Sequence, residues 1–172
     1  DVARDARWGR IMEGAGEDPY LGAAFAAARV RGFQGTDLRA PDSVAACVKH
    51  FAAYGFAEAG RDYNTVDLSP ATLHDVVLPP FRAAIDAGAA TVMTSFNEIA
   101  GLPSVASAQL QREILKGEWR FPGFVVSDWG AIRESIAHGF AADLRHAAQL
   151  SILSGHDMDM ESSAVTATAP IS

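Results

Sequence analysis

Along the chain, short apolar runs alternate with longer stretches whose apolar residues recur at helical spacing. Pro19 follows the acidic pair Glu17-Asp18 and opens an Ala-rich helix, which should run to Arg31 with Gly32 as its stop. Residues 44–48 form an apolar run ending in Lys49-His50 and read as a buried strand. A polar loop covers 57–66. Ser69-Pro70 supplies an N-cap and a first-turn proline for a helix carrying Leu73, Val76, Val77, Phe81, Ala84 and Ile85. Pro79-Pro80 should break or kink it. Residues 90–96 form the next strand, closing on Asn97-Glu98. Ser107 can cap a helix through Leu110, Ile114 and Leu115 to Glu118, and Pro122-Gly123 turns the chain into a strand at 124–127. Helical sequence resumes at 131–138 and at 144–153, and 155–160 reads as a last short strand. Beyond Glu161 the residues are Ser, Thr, Ala and Pro without periodicity, so 162–172 is expected to be a frayed or divergent tail on one domain spanning 1–161.

Four near-continuously apolar strands, each followed by helix, specify parallel βαβ units covered on both faces. Polar residues collect at the strands' C-terminal ends: Lys49-His50, Asn97-Glu98, Asp128 and Asp157. At that edge both a (β/α)8 barrel and a doubly wound sheet build their sites. A complete barrel takes ~200 residues or more, so four strands amount to roughly half of one. The expected fold is α/β, part of a (β/α)8 TIM-type barrel with parallel strands and outer helices, incomplete at both ends.

Composition narrows the partners. With 14 Lys+Arg against 21 Asp+Glu in 172 residues, the net charge is −7. Such a balance disfavours nucleic acid and anionic membranes, whose phosphates need a cationic face. No apolar run reaches the ~18 residues of a membrane span. Cys47 is the single cysteine, which rules out a disulfide framework within the chain and leaves cytoplasmic and exported compartments both open. The sequence begins at Asp1 with neither an initiator Met nor a leader pattern, as a mature product or a piece of a longer chain would.

Several positions could carry chemistry. Asp128 follows Val125-Val126 and precedes Trp129-Gly130. A carboxylate there can act as nucleophile or base beside an indole that offers an apolar face to a substrate ring, or it can cap the helix that starts at Ala131. Lys49-His50 could bind ligand hydroxyls or move a proton. Equally, the pair could be a lysine matched to a carboxylate beside a hydrogen-bonded histidine. Asp157 and Asp159 alternate with Met158 and Met160 and so share a strand face. With no His or Cys at ligand spacing they read as structural, and no metal site is expected. Gly14-Ala15-Gly16 begins like a phosphate loop, but Pro19 stands in the third glycine's place, which argues against dinucleotide binding. Ser95, Ser104 and Ser127 lack the Gly-x-Ser-x-Gly context of a hydrolase elbow. Residues 1–10 interleave arginines with aspartates, the composition of a solvated loop.

Taken together, DVARDARWGR at 1–10, EGAGEDPYL at 13–21, VRGFQG at 30–35, KHFAAYG at 49–55 and GRDYNTVDLS at 60–69 resemble the β-glucosidase-like branch of glycoside hydrolase family 3. LPPFRAAIDAG at 78–88, TVMTSFNEIAGLP at 91–103, GEWRFPGFVVSDWGAI at 117–132 and GHDMDM at 155–160 continue the series in the family's order. The resemblance implies that Asp128 is the nucleophile of a retaining mechanism. It also implies that Arg10, Lys49 and His50 hold hydroxyls of the sugar in the −1 site and that Trp129 is an aromatic platform. Met93 would lie near that sugar, and Phe96 stands where the family often has Tyr, so the phenol's hydrogen bond is absent. Ala52-Ala53 replaces the loop of the β-N-acetylhexosaminidase branch, which is thereby disfavoured. A retaining glycosidase needs a second carboxyl ~5–5.5 Å from the nucleophile. In this branch that acid/base is a Glu on a separate C-terminal domain, and neither Glu98 nor Glu118 occupies its position. The implied substrate is a β-linked glucoside or oligosaccharide, with no cofactor. A β-xylosidase and an inactive sugar-binding barrel fragment are the alternatives, and the chain by itself is expected to turn nothing over.

Overall fold

The computed structural model describes residues 1–161 and Ala164, so the tail expected at 162–172 otherwise lies outside the described residues. In chain order the strands are Cys47–Phe51 (β1), Thr65–Val66 (β2), Thr91–Thr94 (β3), Glu98–Ile99 (β4), Leu102–Pro103 (β5) and Phe124–Val126 (β6). The α-helices are Pro19–Gln34 (α1), Pro70–Thr72 (α2), Leu78–Asp86 (α3), Ala131–Ala137 (α4) and Leu144–Ser154 (α5). Leu73–Val77 and Gln109–Glu118 are π-helical.

β1, β3 and β6 form one parallel sheet in that order, with Val48 opposite Val92 and Val92 opposite Val125. Each crossover carries a helix back over the same face. The main core therefore lies between sheet and helices, where Phe51, Val92 and Val125 meet Phe81, Leu115 and Trp119. Phe51 meets Phe81 and Trp119 edge-on, with ring centroids 5.3 and 5.9 Å apart. This is the expected partial α/β barrel, with no closed barrel among the described residues. No described helix is long and apolar enough to cross a membrane.

Several elements differ from the sequence reading, each for a physical reason. Helix α1 passes through Gly32 and stops at Gly35, whose φ of 60° combined with ψ of −146° is a conformation for glycine and whose N–H reaches Arg31 O. The first strand begins at Cys47, because Val44 is exposed and its N–H is spent on Phe33 O. Pro79-Pro80 does not interrupt the helical path over 70–86. The π-turn Leu73–Val77 widens the backbone ahead of it, and the prolines fall in the first turn of α3, where an N–H has no helical partner. The loop at 57–66 holds a 3-10 turn, Glu58–Gly60, and then β2. β2 pairs with the β4–β5 hairpin, turned by Ala100-Gly101 with both φ values positive. The fourth strand expected at 155–160 is reduced to one bridge, Val126 to Met158. There the Asp157 side chain takes the Val125 N–H at 2.8 Å while Lys116 Nζ binds both its oxygens, at 2.8 and 2.6 Å. The carboxylate thus takes one β6 N–H, while main-chain bonds from Asp157 and Met158 to Val125 O and from Ser127 to Met158 O hold the rest of the contact.

His156, just past α5, is buried, its Nε2 2.9 Å from Thr94 Oγ1 and its Nδ1 3.4 Å from Ser154 Oγ. Burial holds the ring neutral, lowering its pKa to about 4. An unfolded chain protonates this histidine below about pH 6.5, whereas the folded one does not until about pH 4, so acid favours unfolding across that window. Thermal midpoints should therefore fall as pH drops from 6.5 to 4. A His156→Gln variant should be less stable at pH 7 but lose less on acidification, and equal slopes would contradict this.

Candidate active site

Asp128 stands two residues beyond β6, at the sheet's C-terminal edge. Its Oδ1 accepts the Trp129 N–H at 2.7 Å, while α4 is capped by Gly130 without any side-chain bond. The helix-cap alternative for Asp128 therefore does not hold. Its other oxygen, Oδ2, is buried without a hydrogen bond and lies 3.3 Å from His50 Nε2, which is equally buried and unpartnered. Buried polar atoms are rarely left in this state unless the site receives a partner.

His50 ends up here because β1 runs parallel to β3 and β6, so the C-terminal ends of all three strands share one edge. Its Nδ1 is 2.8 Å from Asp1 Oδ2, which also accepts the His50 main-chain N–H at 3.2 Å. Burial first, then the positive charges of Arg10 and Lys49, push the imidazole pKa down to about 3. The ring is neutral. Lys49 Nζ reaches Glu13 Oε2 at 3.1 Å, and Arg10 grips the same carboxylate at 2.7 and 3.0 Å. The Arg10 bonds, with help from Lys49, hold Glu13 down at about 2. Two chains of polar groups, Arg10–Glu13–Lys49 and Asp1–His50–Asp128, thus meet at adjacent residues. The peptide bonds at Lys49-His50 and Phe51-Ala52 are cis.

Tyr54, fully buried, joins these groups to an aromatic wall. Its ring lies 5.2 Å from His50, 5.3 Å from Trp8 and 5.7 Å from Phe96, and the Arg10 guanidinium sits 5.5 Å from its centroid. Phe96 is buried and meets Tyr63 edge-on at 4.7 Å. Met93 is half-buried on β3 opposite Val126, on the sheet face away from Val92 and Thr94. Trp129 contacts Asp128 through its backbone and leaves the indole 65% exposed. Glu98 faces His138 at 3.7 Å on the β4 side, and Glu118 is exposed on the far side of the sheet. Burial, and then the charge of Asp128, raise Glu134 on α4 to about 7.

Asp1, Glu13, Tyr54 and Glu134 escaped the sequence reading. Glu13 alone left a signal there, standing three residues after Arg10. The solvated loop expected at 1–10 is instead anchored by Val2, Ala3 and Trp8, all nearly inaccessible. Asp157 is occupied by Lys116 and Val125, and Asp159 accepts from Ser127 Oγ at 3.5 Å and from the Ala164 N–H at 2.7 Å. Among the described residues no group of three or more His, Cys, Asp or Glu is placed to hold a metal ion.

The chain is similar in sequence to several glycosidases. The periplasmic β-glucosidase of Salmonella typhimurium is 45% identical over 160 residues, which are 93% of this chain and 21% of that protein. The β-xylosidase/α-L-arabinofuranosidase 1 of Medicago sativa is 37% identical over 166 residues, 92% of this chain and 21% of its own length. The crystal structure of Listeria innocua β-glucosidase in complex with glucose superposes with a TM-score of 0.93 at 48% identity, over 95% of this chain and 23% of that one. The chain therefore spans about a fifth of the length of these relatives. The family described as glycosyl hydrolase family 3 N terminal domain matches residues 1–171, and it is to this family that the chain belongs.

Proposed function

We propose that residues 1–161 are part of the catalytic barrel of a retaining β-glucosidase that removes terminal, non-reducing β-D-glucosyl residues. The observation that carries this reading is the buried, unpartnered Asp128 Oδ2, set at the sheet's C-terminal edge beside a neutral histidine. In the first step Oδ2 attacks the anomeric carbon and the bond to the leaving oxygen breaks, giving a glycosyl ester on Asp128. A carboxylic acid protonates the leaving oxygen, and its conjugate base then takes a proton from the water that cleaves the ester. In this proposal that second carboxyl is a Glu on a further domain, and no metal or cofactor takes part.

Arg10, Lys49 and His50 are assigned to the sugar hydroxyls, where charge-assisted bonds fix the ring. Met93 and Phe96 line its apolar side, and the exposed Trp129 indole offers the stacking face. The rest of the barrel would cover surfaces that are open here. β1 has no strand on its outer edge among the described residues. A cavity of about 240 Å³ opens between α1, β1 and α3, with Phe25, Val30 and Phe81 in its lining. Tyr20, Leu21, Phe25 and Phe33 on α1 are exposed, as apolar residues awaiting cover would be.

A β-xylosidase is the second reading, favoured by the names of relatives such as β-D-xylosidase 1 of Arabidopsis thaliana, 35% identical. Aryl glycosides separate the two. The parent enzyme should show kcat/KM at least about tenfold higher on the β-D-glucoside than on the β-D-xyloside, the scale expected of one hydroxymethyl group in a fitted pocket. The reverse ratio would assign it to xylosides. Proton spectra of the first product should show the β-anomer, and initial release of the α-anomer would overturn the retaining mechanism.

A further inference from the structure

We propose that Asp1 is a positioning residue that holds His50 in its Nδ1–H tautomer, so that Nε2 meets the substrate as an acceptor beside Asp128. The proposal rests on the reading of Asp128 as nucleophile for its consequence, but not for its geometry.

That geometry is asymmetric. On one side of the imidazole, Asp1 Oδ2 collects two approaches from the same residue, the main-chain N–H at 3.2 Å and Nδ1 at 2.8 Å. On the other, Nε2 and Asp128 Oδ2 are 3.3 Å apart without hydrogen-bond geometry, and each is buried and unpartnered. A neutral imidazole carries one N–H, and the bond made by one nitrogen decides which of the two bears it. Were the proton on Nε2, the lone pair of Nδ1 would face a carboxylate oxygen at 2.8 Å in a site nearly closed to water, with the Asp1 side chain only 7% exposed. With the proton on Nδ1, the short contact is a charge-assisted hydrogen bond and the facing acceptors fall at the longer separation. The imidazolium would satisfy both sides, but burial and the cations Arg10 and Lys49 oppose it.

The consequence concerns the nucleophile. An Nε2–H would set a positive hydrogen beside Asp128 Oδ2, 3.3 Å away, and weaken it as the oxygen that attacks the anomeric carbon. The Nδ1–H tautomer leaves Oδ2 free and adds a second acceptor next to it. The pair is then completed by a donor, such as a substrate hydroxyl bonding to Nε2. Asp1 would thus act on the reaction through His50 without touching the sugar, as carboxylates behind reactive histidines do elsewhere.

The tautomer can be read directly. Long-range 1H–15N spectra of the 15N-histidine-labelled parent enzyme at pH 7, with His50 assigned by loss of its signals in a His50→Gln variant, should show Nδ1 protonated and Nε2 bare. A wild-type spectrum with the proton on Nε2 overturns the proposal whatever the activity, and this measurement needs no folded Asp1 variant. Asp1→Leu removes the acceptor that the His50 main-chain N–H and Nδ1 share, and should release the proton to Nε2, lowering kcat about 30-fold. An unchanged tautomer, or kcat within twofold of wild type, removes the assigned role of Asp1. Wild-type enzyme that shows the expected tautomer but hydrolyses no glycoside would overturn the functional reading instead and leave the tautomer assignment standing.

Discussion

Replacing Asp128 by Gly in the parent enzyme should lower kcat roughly 10⁴-fold, the scale on which a reaction loses a covalent route. It should also open a cavity that a small anion can enter. The carboxylate is buried, with Oδ2 facing His50 and Oδ1 bound to the Trp129 N–H. Deleting it therefore leaves a hole beside the anomeric carbon rather than a filled surface. Azide at high concentration should then attack from the vacated side and restore turnover on an aryl glucoside, whose leaving group departs with little acid help. Its product would be the α-glucosyl azide, because only one displacement has occurred. Undiminished turnover without azide would end the nucleophile assignment. Activity lost but not rescued, in a variant with the wild-type melting temperature, would point to binding rather than attack. Asp128→Asn separates the two further, since it fills the same volume, keeps an acceptor for Trp129 and should not be rescued.

How much of this was legible in the sequence depended on the range of the interaction that fixed each feature. Apolar runs marked β3 and β6, whose polar end pointed to Asp128, but β1 was read three residues early, because Lys49 and His50 lie inside the strand Cys47–Phe51 rather than past its end. β2, β4 and β5 are two residues each, too short to carry a period, and the Ala100-Gly101 turn lacks the Asn-Gly or Asp-Gly pair that marks such hairpins. Residues 155–160 carried a strand's pattern and do bond β6 through Asp157 and Met158, but the Val125 N–H goes to the Asp157 side chain, and no propensity foresees that exchange. The site's hidden half was illegible for a similar reason. Asp1 finds His50 across 49 residues and Glu13 finds Lys49 across 36. In sequence each is one more charge in a loop. The resemblance could place Arg10 and Lys49, yet only the fold reveals that one carboxylate holds both.

The segment that carries Asp1 and Arg10 should be the most sensitive place to disturb this arrangement without touching it. Gly55→Ala is expected to destabilise the enzyme by about 3 kcal/mol and to lower kcat/KM about 100-fold. Gly55 is buried next to the fully buried Tyr54, and its carbonyl accepts the Arg4 N–H at 2.9 Å. An added Cβ would collide with the Val2 carbonyl oxygen and stand 3.1 Å from Ala3 Cα. Both obstacles are backbone, so no side chain can swing aside, and the segment itself must lift. Asp1 lies one residue before Val2 and Arg10 follows Trp8 closely, so that movement would pull one group from His50 and the other from Tyr54. The loss should appear in activity before it appears as unfolding, because a shift on the order of 1 Å already spoils alignment. The same methyl added at Gly32, in the interior of α1 with nothing within 4 Å, provides the contrast and should leave activity intact. If Gly55→Ala melted and turned over like wild type, segment 1–10 would have to be free to move without consequence, and Asp1 and Arg10 would lose their place in the site.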